Sequence, residues 1–388
     1  MSIRQNCALG LLLLAGYGAF ALAAPDEENA RAVREAVAVA KQLRNSDNEF
    51  DQVAGAGTLA DVGDKDALQF LVDTVSHPDW STMRSAIDAL LSLEHPAGVD
   101  LLYRLATVHP DGVFLKFLSE SLASRPRDDM GEFLMNTLDL DDQWVIRYAL
   151  QALQTIPVDD KEARISKFIA DKARDSATQA YAYLVLMDTD ARAQSLTKLI
   201  ELSVSGTSEA QEAAAVALGR VDNKDTQAAL AQLRKVSDPR TQLAATASIA
   251  GFGAEDAIKR MIEIIAYGKG LDPSLAAASL RRMPGPVVLK ISNVLIECCN
   301  LNSDIATRVI ESWAKVDADP TNIYTWGLKH ENAEVRMQAA WLVGLREDRA
   351  WLNRVIPMLK DADPGVRGMA AWTVIHLLGN EYDPGVEA

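Results

Sequence analysis

A pattern that repeats about every 31 residues constrains this chain more than any other feature of its sequence. In the clearest copy, residues 356–379 contain two amphipathic segments joined by a polar turn. Asp363 is placed to cap the second segment, and Pro364 follows at a first helical position, where its missing N–H costs nothing. Neither segment can bury its apolar stripe alone. The pattern therefore predicts helix pairs that pack against neighbouring pairs.

Equivalent anchor positions can be set along most of the chain. Starting from Arg367, the earlier copies are anchored at Arg336, Arg308, Ala276, Ala244, Glu212, Ala180, Arg147, Lys116 and Arg84, with a degenerate copy near Gln52. A fixed period with two helices per copy is typical of an α-solenoid. We therefore expect an all-α solenoid of about 10–11 helix pairs, forming a curved rod on the order of 100 Å long.

The last copy resembles the HEAT-repeat family, in particular the short repeats of phycobilin-lyase-like proteins. The resemblance rests on Pro357, Asp361, Asp363-Pro364, Val366-Arg367 and Ala370-Ala371. It covers most of the chain, and it is strong over 323–379 and weak over 253–300. It implies a right-handed superhelix whose second helices line the concave surface. A repeat family of this kind implies an architecture and no particular activity.

The resemblance also implies a ladder of Asp and Arg side chains that joins neighbouring turns. Its members here are Arg84, Arg147, Asp304, Arg308, Arg336, Asp363 and Arg367. Asp304 precedes Arg308 by four residues, as Asp363 precedes Arg367, and this spacing favours ion pairs within one helix. We interpret the ladder as structural, with ligand binding by its cations as the alternative.

The N-terminus resembles a secretory signal. Arg4 precedes an apolar run over 8–23 that ends in small residues. We expect cleavage after Ala23, with Ala21 and Ala24 as alternatives, and a periplasmic or secreted bacterial protein. An uncleaved membrane anchor is the rival interpretation, although the run is short for a span of about 20 residues. The mature chain would then comprise a capping helix (24–50), repeats (51–379) and a tail (380–388).

The mature chain has two cysteines, Cys298 and Cys299. Adjacent helical residues point about 100° apart, so we expect no disulfide between them and interpret them as core thiols, with intermolecular pairing left open. The absence of a disulfide framework fits an exported bacterial protein with a large core.

The charge and motif content exclude several classes of function. A net charge of −15 offers no basic groove for nucleic acid. Phosphate-binding loops, nucleophile elbows and zinc motifs are absent, and the five histidines are scattered singly. The HEAT-type di-iron hydroxylases carry several His-Glu pairs, whereas this chain has the single pair His330-Glu331. The sequence therefore predicts no enzyme, no cofactor and no metal site.

Tryptophans recur at one position of the last repeats. Trp313, Trp341 and Trp372 each lie five residues after their anchor, about 145° from the buried stripe on a helical wheel. We therefore expect three neighbouring indoles exposed on the concave surface. Phe117, Tyr148 and Tyr181, each one residue after its anchor, would extend this aromatic strip. The alternative is that each indole wedges between adjacent second helices.

These patterns favour a non-catalytic scaffold that binds an unidentified partner protein in the cell envelope through its concave face. The resemblance to lyase-type HEAT proteins offers an alternative, an accessory protein that handles tetrapyrroles or another cofactor, but the export signal argues against it. A third hypothesis is a structural spacer that associates with itself.

Overall fold

The computed structural model describes residues 27–93, 101–102, 104, 112–124, 127–171 and 175–379. These residues form α-helices and short 3-10 segments, and none of them lies in a β-strand. The expected all-α solenoid is confirmed. The predicted signal peptide (1–23) and the tail (380–388) lie outside the described residues.

Each repeat pairs a first helix with a second helix. The described first helices are α1 (Glu27–Arg44), α3 (Lys65–Thr74), α6 (Gly131–Thr137), α8 (Lys161–Asp171), α10 (Arg192–Ser205), α12 (Lys224–Leu233), α14 (Glu255–Tyr267), α16 (Gly285–Cys298), α18 (Thr321–Gly327) and α20 (Leu352–Val355). The described second helices are α2 (Glu49–Asp61), α4 (Trp80–Ser92), α5 (Gly112–Ser124), α7 (Gln143–Leu153), α9 (Ser176–Val185), α11 (Ser208–Leu218), α13 (Pro239–Gly251), α15 (Pro273–Ser279), α17 (Ser303–Glu311), α19 (Ala333–Leu345) and α21 (Pro364–Leu378). Short 3-10 segments occupy Asp128–Met130, Leu186–Asp188, Leu280–Arg282, Ser312–Lys315, Arg349–Trp351 and Ile356–Lys360.

The anchor positions set from the sequence all fall on second helices. Gln52 lies in α2, Arg84 in α4 and Lys116 in α5, and the series continues one helix at a time to Arg367 in α21. The period of the sequence therefore places every second helix that the structure describes.

Side-chain caps fix where many second helices begin. Asp79, Asp142, Asp175, Asp238 and Asp363 each accept a hydrogen bond from a backbone N–H two or three residues ahead. This satisfies donors that have no partner inside the helix.

The beginnings of neighbouring second helices lie side by side. Ser176 Oγ at the start of α9 is 3.3 Å from Thr207 Oγ1, which caps α11. Thr241 Oγ1 at the start of α13 donates to the carbonyl of Ser208 in α11 at 3.2 Å. The second helices therefore run parallel, and their capped ends share one side of the solenoid, which we call the N-terminal edge.

The two ends of the stack meet. α1 packs against α2 and also along α21, and α21 contacts α2 as well. Gly368 of α21 approaches the end of α1 so closely that an added Cβ would lie 2.9 Å from Leu43 Cδ1. Lys360 and Glu35 add an ion pair at 3.8 Å. The solenoid is thus a closed ring. The expected open rod is wrong, and α1 is not a free end cap because α21 covers its other side.

Candidate functional site

The structure separates the three tryptophans that the sequence grouped. Trp313 is completely buried, and its Nε1–H donates to Ser292 Oγ of α16 at 3.0 Å. The expectation that this indole is exposed is therefore wrong. The expectation assumed an unbroken α-helix, whereas α17 ends at Glu311 and Ser312–Lys315 continue as a 3-10 helix. The tighter winding rotates the indole by only about 40° over two residues, so the rest of the change comes from the path and packing of the chain at this point.

Trp341 and Trp372 lie in the uninterrupted helices α19 and α21, and both are half-buried. Trp372 packs against Gly344 of α19, where an added Cβ would lie 2.5 Å from its Cζ3. It also stacks on His376, with ring centroids 4.9 Å apart and 18° between the planes. Trp372 therefore wedges between adjacent second helices, as the alternative interpretation expected. A role of these two indoles in partner binding stays a prediction.

The earlier aromatic residues follow consecutive second helices. Phe117, Tyr148 and Tyr181 are half-buried on α5, α7 and α9. Phe117 makes an edge contact with Trp80, with centroids 6.4 Å apart, and the Arg84 guanidinium carbon lies 5.9 Å from its ring centroid. In this half of the predicted strip, Phe117 therefore lies beside a cation, the Arg84 guanidinium.

Charged side chains from distant repeats act on the two tyrosines. Burial raises the pKa of Tyr148, and Glu120, Arg84 and Arg240 also influence it. Burial raises the pKa of Tyr181 to about 12, with Glu212 adding to this effect and Arg282 opposing it. Arg240 belongs to α13 and Arg282 to the 3-10 segment after α15, three repeats beyond α7 and α9 respectively. Charges act across such separations because the closed ring turns its second helices toward one another.

Arg282 combines an exposed side chain with a desolvated guanidinium. Its side chain keeps accessible surface, yet the surrounding protein desolvates it and lowers its pKa, while Tyr181 and Glu212 oppose that shift. A side chain that is both accessible and surrounded by protein projects into the inner space of the ring. Burial raises the pKa of Glu212, and Arg240 and Arg282 counteract this. We call Tyr148, Tyr181, Glu212, Arg240 and Arg282 the inner cluster.

Two arginines of the predicted ladder, Arg84 and Arg147, bind carboxylates of other repeats that the sequence did not identify. Arg147 is buried, and it donates to Asp175 in the next repeat and to Glu209 two repeats away, both at 3.0 Å. Arg84 pairs with Glu120 of the next repeat at 3.2 Å. These contacts join neighbouring repeats, as a structural ladder should.

The C-terminal members of the ladder behave differently from one another. Arg308 pairs with Asp304 within α17 at 3.1 Å, as the spacing predicted. Asp363, by contrast, caps α21 by accepting from Val366 N–H, and Arg367 donates to the carbonyls of Asp361 and Ala362. The main chain therefore engages the two side chains that we expected to pair with each other.

Arg336 forms a bidentate pair with Asp361. Its Nε donates to Asp361 Oδ2 at 3.0 Å, and its Nη2 donates to Oδ1 at 2.8 Å. Hydrogen bonds from Arg336 lower the pKa of Asp361 below its ordinary value of 3.8. A carboxylate of this kind stabilises the fold above its unfolded-state pKa, and that contribution is lost as the pH falls through the folded-state value.

We therefore expect Asp361→Asn to lower the free energy of unfolding by about 1–3 kcal/mol at pH 7, because it leaves a half-buried guanidinium without its counter-charge. The difference from the unmodified protein should shrink as the pH falls below about 4. Urea unfolding followed by circular dichroism at several pH values measures it. Asp304→Asn, in the exposed Arg308–Asp304 pair, is the matched control and should change the free energy by less than about 0.5 kcal/mol. An equal effect of the two substitutions would contradict the prediction.

The most exposed tryptophans are not among the residues that we predicted from the sequence. Trp80 is 61% exposed and Trp144 is 54% exposed, and Phe50 is 50% exposed. All three occupy the first or second position of a second helix, in α4, α7 and α2. A signal was present, since each follows a capping residue by one or two positions, ahead of the apolar stripe. We call Phe50, Trp80 and Trp144 the edge aromatics.

Other predicted features can be placed as well. Cys298 is exposed and Cys299 is half-buried, both as free thiols, so the interpretation as core thiols is wrong for Cys298. Among the described residues, no cluster of three or more His, Cys, Asp or Glu side chains is arranged to hold a metal ion. In the same part of the chain, no helix combines the length and apolar character needed to cross a bilayer.

A family model described as HEAT repeats matches residues 36–123 and 324–383. These two ranges contain HEAT repeats. The two matched ranges of HEAT repeats include α21 and most of α1, so they lie on both sides of the ring closure. No curated protein sequence matches the chain at a significant level.

Solved structures show only a distant likeness to these HEAT repeats. An engineered protein is 18% identical, with 89% of this chain and 98% of that chain covered and a TM-score of 0.28. Human deoxyhypusine hydroxylase in complex with glycerol is 16% identical, with 66% and 97% covered and a TM-score of 0.27. Kap121p bound to Nup53p is 13% identical, with 92% and 46% covered and a TM-score of 0.32. Likeness at this level carries no argument about activity or partners.

Proposed function

We propose that this protein is a non-catalytic scaffold of the bacterial cell envelope that binds a partner protein on the inner surface of its ring. The proposal rests on the inner cluster, in which the charges of Arg240 and Arg282 act on Glu212 and on the two tyrosines from other repeats. Tyr and Arg are among the residues that contribute most to protein interfaces. Partly desolvated charges also destabilise a complex in which they meet no opposite charge. They therefore favour a partner with complementary charges over other partners.

The location in the envelope is supported by the signal-like sequence over 1–23. Two further features support a scaffold over an enzyme. The inner cluster holds no nucleophile next to a base, and its two arginines act on a single carboxylate, Glu212. Tyr148 and Tyr181 belong both to the inner cluster and to the N-terminal half of the predicted aromatic strip, so the proposal keeps them as partner-binding residues.

A photo-crosslinking residue in place of Tyr181 tests the proposal in intact cells. We expect a discrete cross-linked partner in the periplasmic fraction, identified by mass spectrometry. The double variant Arg240→Ala/Arg282→Ala should then weaken the affinity for that partner at least about tenfold, because it removes two charged contacts from the inner space.

Arg281→Ala is the matched control for that double variant. Arg281 is the exposed neighbour of Arg282, but its guanidinium lies 3.8 Å from Glu311. This substitution should leave the affinity unchanged. Absence of any cross-linked protein, or equal loss of affinity in the control, would overturn the proposal. Trp341→Ala in the same assay tests whether the C-terminal half of the predicted strip takes part.

A further inference from the structure

The edge aromatics form a surface distinct from the inner cluster. Two indoles and a phenyl ring stand at least half exposed at the N-terminal edge of the first four repeats. Aromatic side chains with half or more of their surface exposed mark sites of interaction when they lie near one another. Trp is also the residue that most often dominates the affinity of an interface.

Side-chain contacts at the N-terminal edge join the start of α2, beside Phe50, to α4, and join Trp80 to α5. Glu49, next to Phe50, accepts a hydrogen bond from Thr82 of α4 at 3.2 Å and lies 3.4 Å from His77 Nε2. Trp80 touches Phe117 of α5, the helix between α4 and α7. The rings therefore follow the edge from repeat to repeat instead of being scattered over the surface.

The surroundings of these rings are anionic. Exposed carboxylates lie beside them in the sequence, at Asp47, Glu49, Asp79, Asp141 and Asp142. Hydrogen bonds from Thr82 lower the pKa of Asp79, which keeps that carboxylate ionised.

The nearest cations are already engaged by other residues. Arg84 pairs with Glu120. Arg147 pairs with Asp175 and Glu209, and its guanidinium carbon also lies 5.5 Å from the centroid of the Trp144 ring. An exposed indole beside carboxylates attracts cations by two interactions. The quadrupole of the ring gives a cation–π attraction, and the carboxylates give a Coulomb attraction.

We propose that this edge binds a Lys- or Arg-rich segment of the partner protein. The cations of the segment lie over Trp80 and pair with the adjacent carboxylates, while Trp144, which already contacts Arg147, and Phe50 extend the apolar contact. The inference rests on the proposed scaffold function and adds the chemistry of the partner. The same negative charge disfavours two other occupants, an anionic membrane surface and a second copy of this chain, whose net charge is also −15.

The first test uses a ten-residue peptide of alternating lysine and glycine, with its glutamate counterpart as the sign control, and isothermal calorimetry at two salt concentrations. We expect the lysine peptide to bind and the glutamate peptide not to bind. Trp80→Ala/Trp144→Ala keeps the net charge, and it should weaken binding of the lysine peptide at least about tenfold.

Tyr267→Ala is the matched control, because Tyr267 is 68% exposed but belongs to α14, outside the four repeats that carry the edge aromatics. It should bind the lysine peptide as the unmodified protein does. Equal affinity of the double tryptophan variant would show attraction to the acidic chain as a whole and would overturn the inference. Tryptophan-dependent sedimentation with phosphatidylglycerol vesicles, or tryptophan-dependent dimerisation in light scattering, would also overturn it.

A crosslinking residue at position 80 separates this inference from the proposed function. Cross-links to one partner from both position 80 and position 181, with a Lys- or Arg-rich peptide captured at position 80, support both. Cross-links from position 181 alone leave the scaffold function standing and overturn the edge site. Cross-links from neither position overturn both.

Discussion

Replacement of Trp313 with alanine is expected to lower the free energy of unfolding by about 4 kcal/mol. The indole is completely buried between repeats, so its removal opens a cavity that the surrounding helices fill only in part. The substitution also removes the hydrogen bond from Nε1–H to Ser292 Oγ. Ser292 keeps a partner of its own, because its hydroxyl donates to the carbonyl of Val288 at 2.7 Å. The loss therefore comes mainly from packing.

Urea unfolding followed by circular dichroism measures the effect of Trp313→Ala. Ser292→Ala separates the hydrogen bond from the packing, and it should cost about 1–3 kcal/mol because it leaves the buried indole N–H without an acceptor. Trp80→Ala is the matched control at an exposed tryptophan and should stay within about 0.5 kcal/mol of the unmodified protein. Similar values for Trp313→Ala and Trp80→Ala would contradict the buried position of Trp313.

Gly55→Ala is expected to destabilise the protein by about 3 kcal/mol. The added methyl group would lie 2.5 Å from both the Ala40 carbonyl oxygen and the Arg44 nitrogen. Both are backbone atoms of α1, so they cannot move aside unless the whole helix moves. Since α1 also packs along α21, its displacement strains the closure of the ring.

Gly57→Ala, two residues further along α2, is the matched control. An added Cβ there would meet only the Ala89 Cβ, at 3.4 Å. Alanine is the better helix former, so this change should be neutral or stabilising by up to about 1 kcal/mol. Unfolding of both variants is compared with their radius of gyration from small-angle scattering, which should increase for Gly55→Ala alone. Equal changes in stability for Gly55→Ala and Gly57→Ala would contradict the prediction that the close approach of α1 and α2 excludes a side chain at position 55.

The repeat could be predicted because its signals are local. The caps at Asp79, Asp142 and Asp363 and the apolar stripes behind them lie within single copies of the pattern. The position of Trp313 could not be predicted in this way. A helical wheel assumes an unbroken α-helix, and α17 changes to a 3-10 helix one residue before the indole.

The closure and the inner cluster depend on geometry that no single copy contains. The curvature of a solenoid is the sum of small rotations between repeats, and those rotations follow from packing details. Arg282 and Tyr181 are far apart in the sequence and come together only because that sum brings the helices round. The edge aromatics were accessible to sequence reasoning, since their positions beside the caps placed them ahead of the buried stripe.

The closure also fixes the number of units in the chain. In a linear array, an added or lost unit changes only the length, because each terminal unit has a single neighbour. Here Gly368 and Leu43 complete a circuit, so each unit is held from both sides. Deleting one would leave a gap, and duplicating one would leave a unit with nowhere to dock. Unravelling likewise has no natural starting point, since releasing any unit breaks two contacts instead of one.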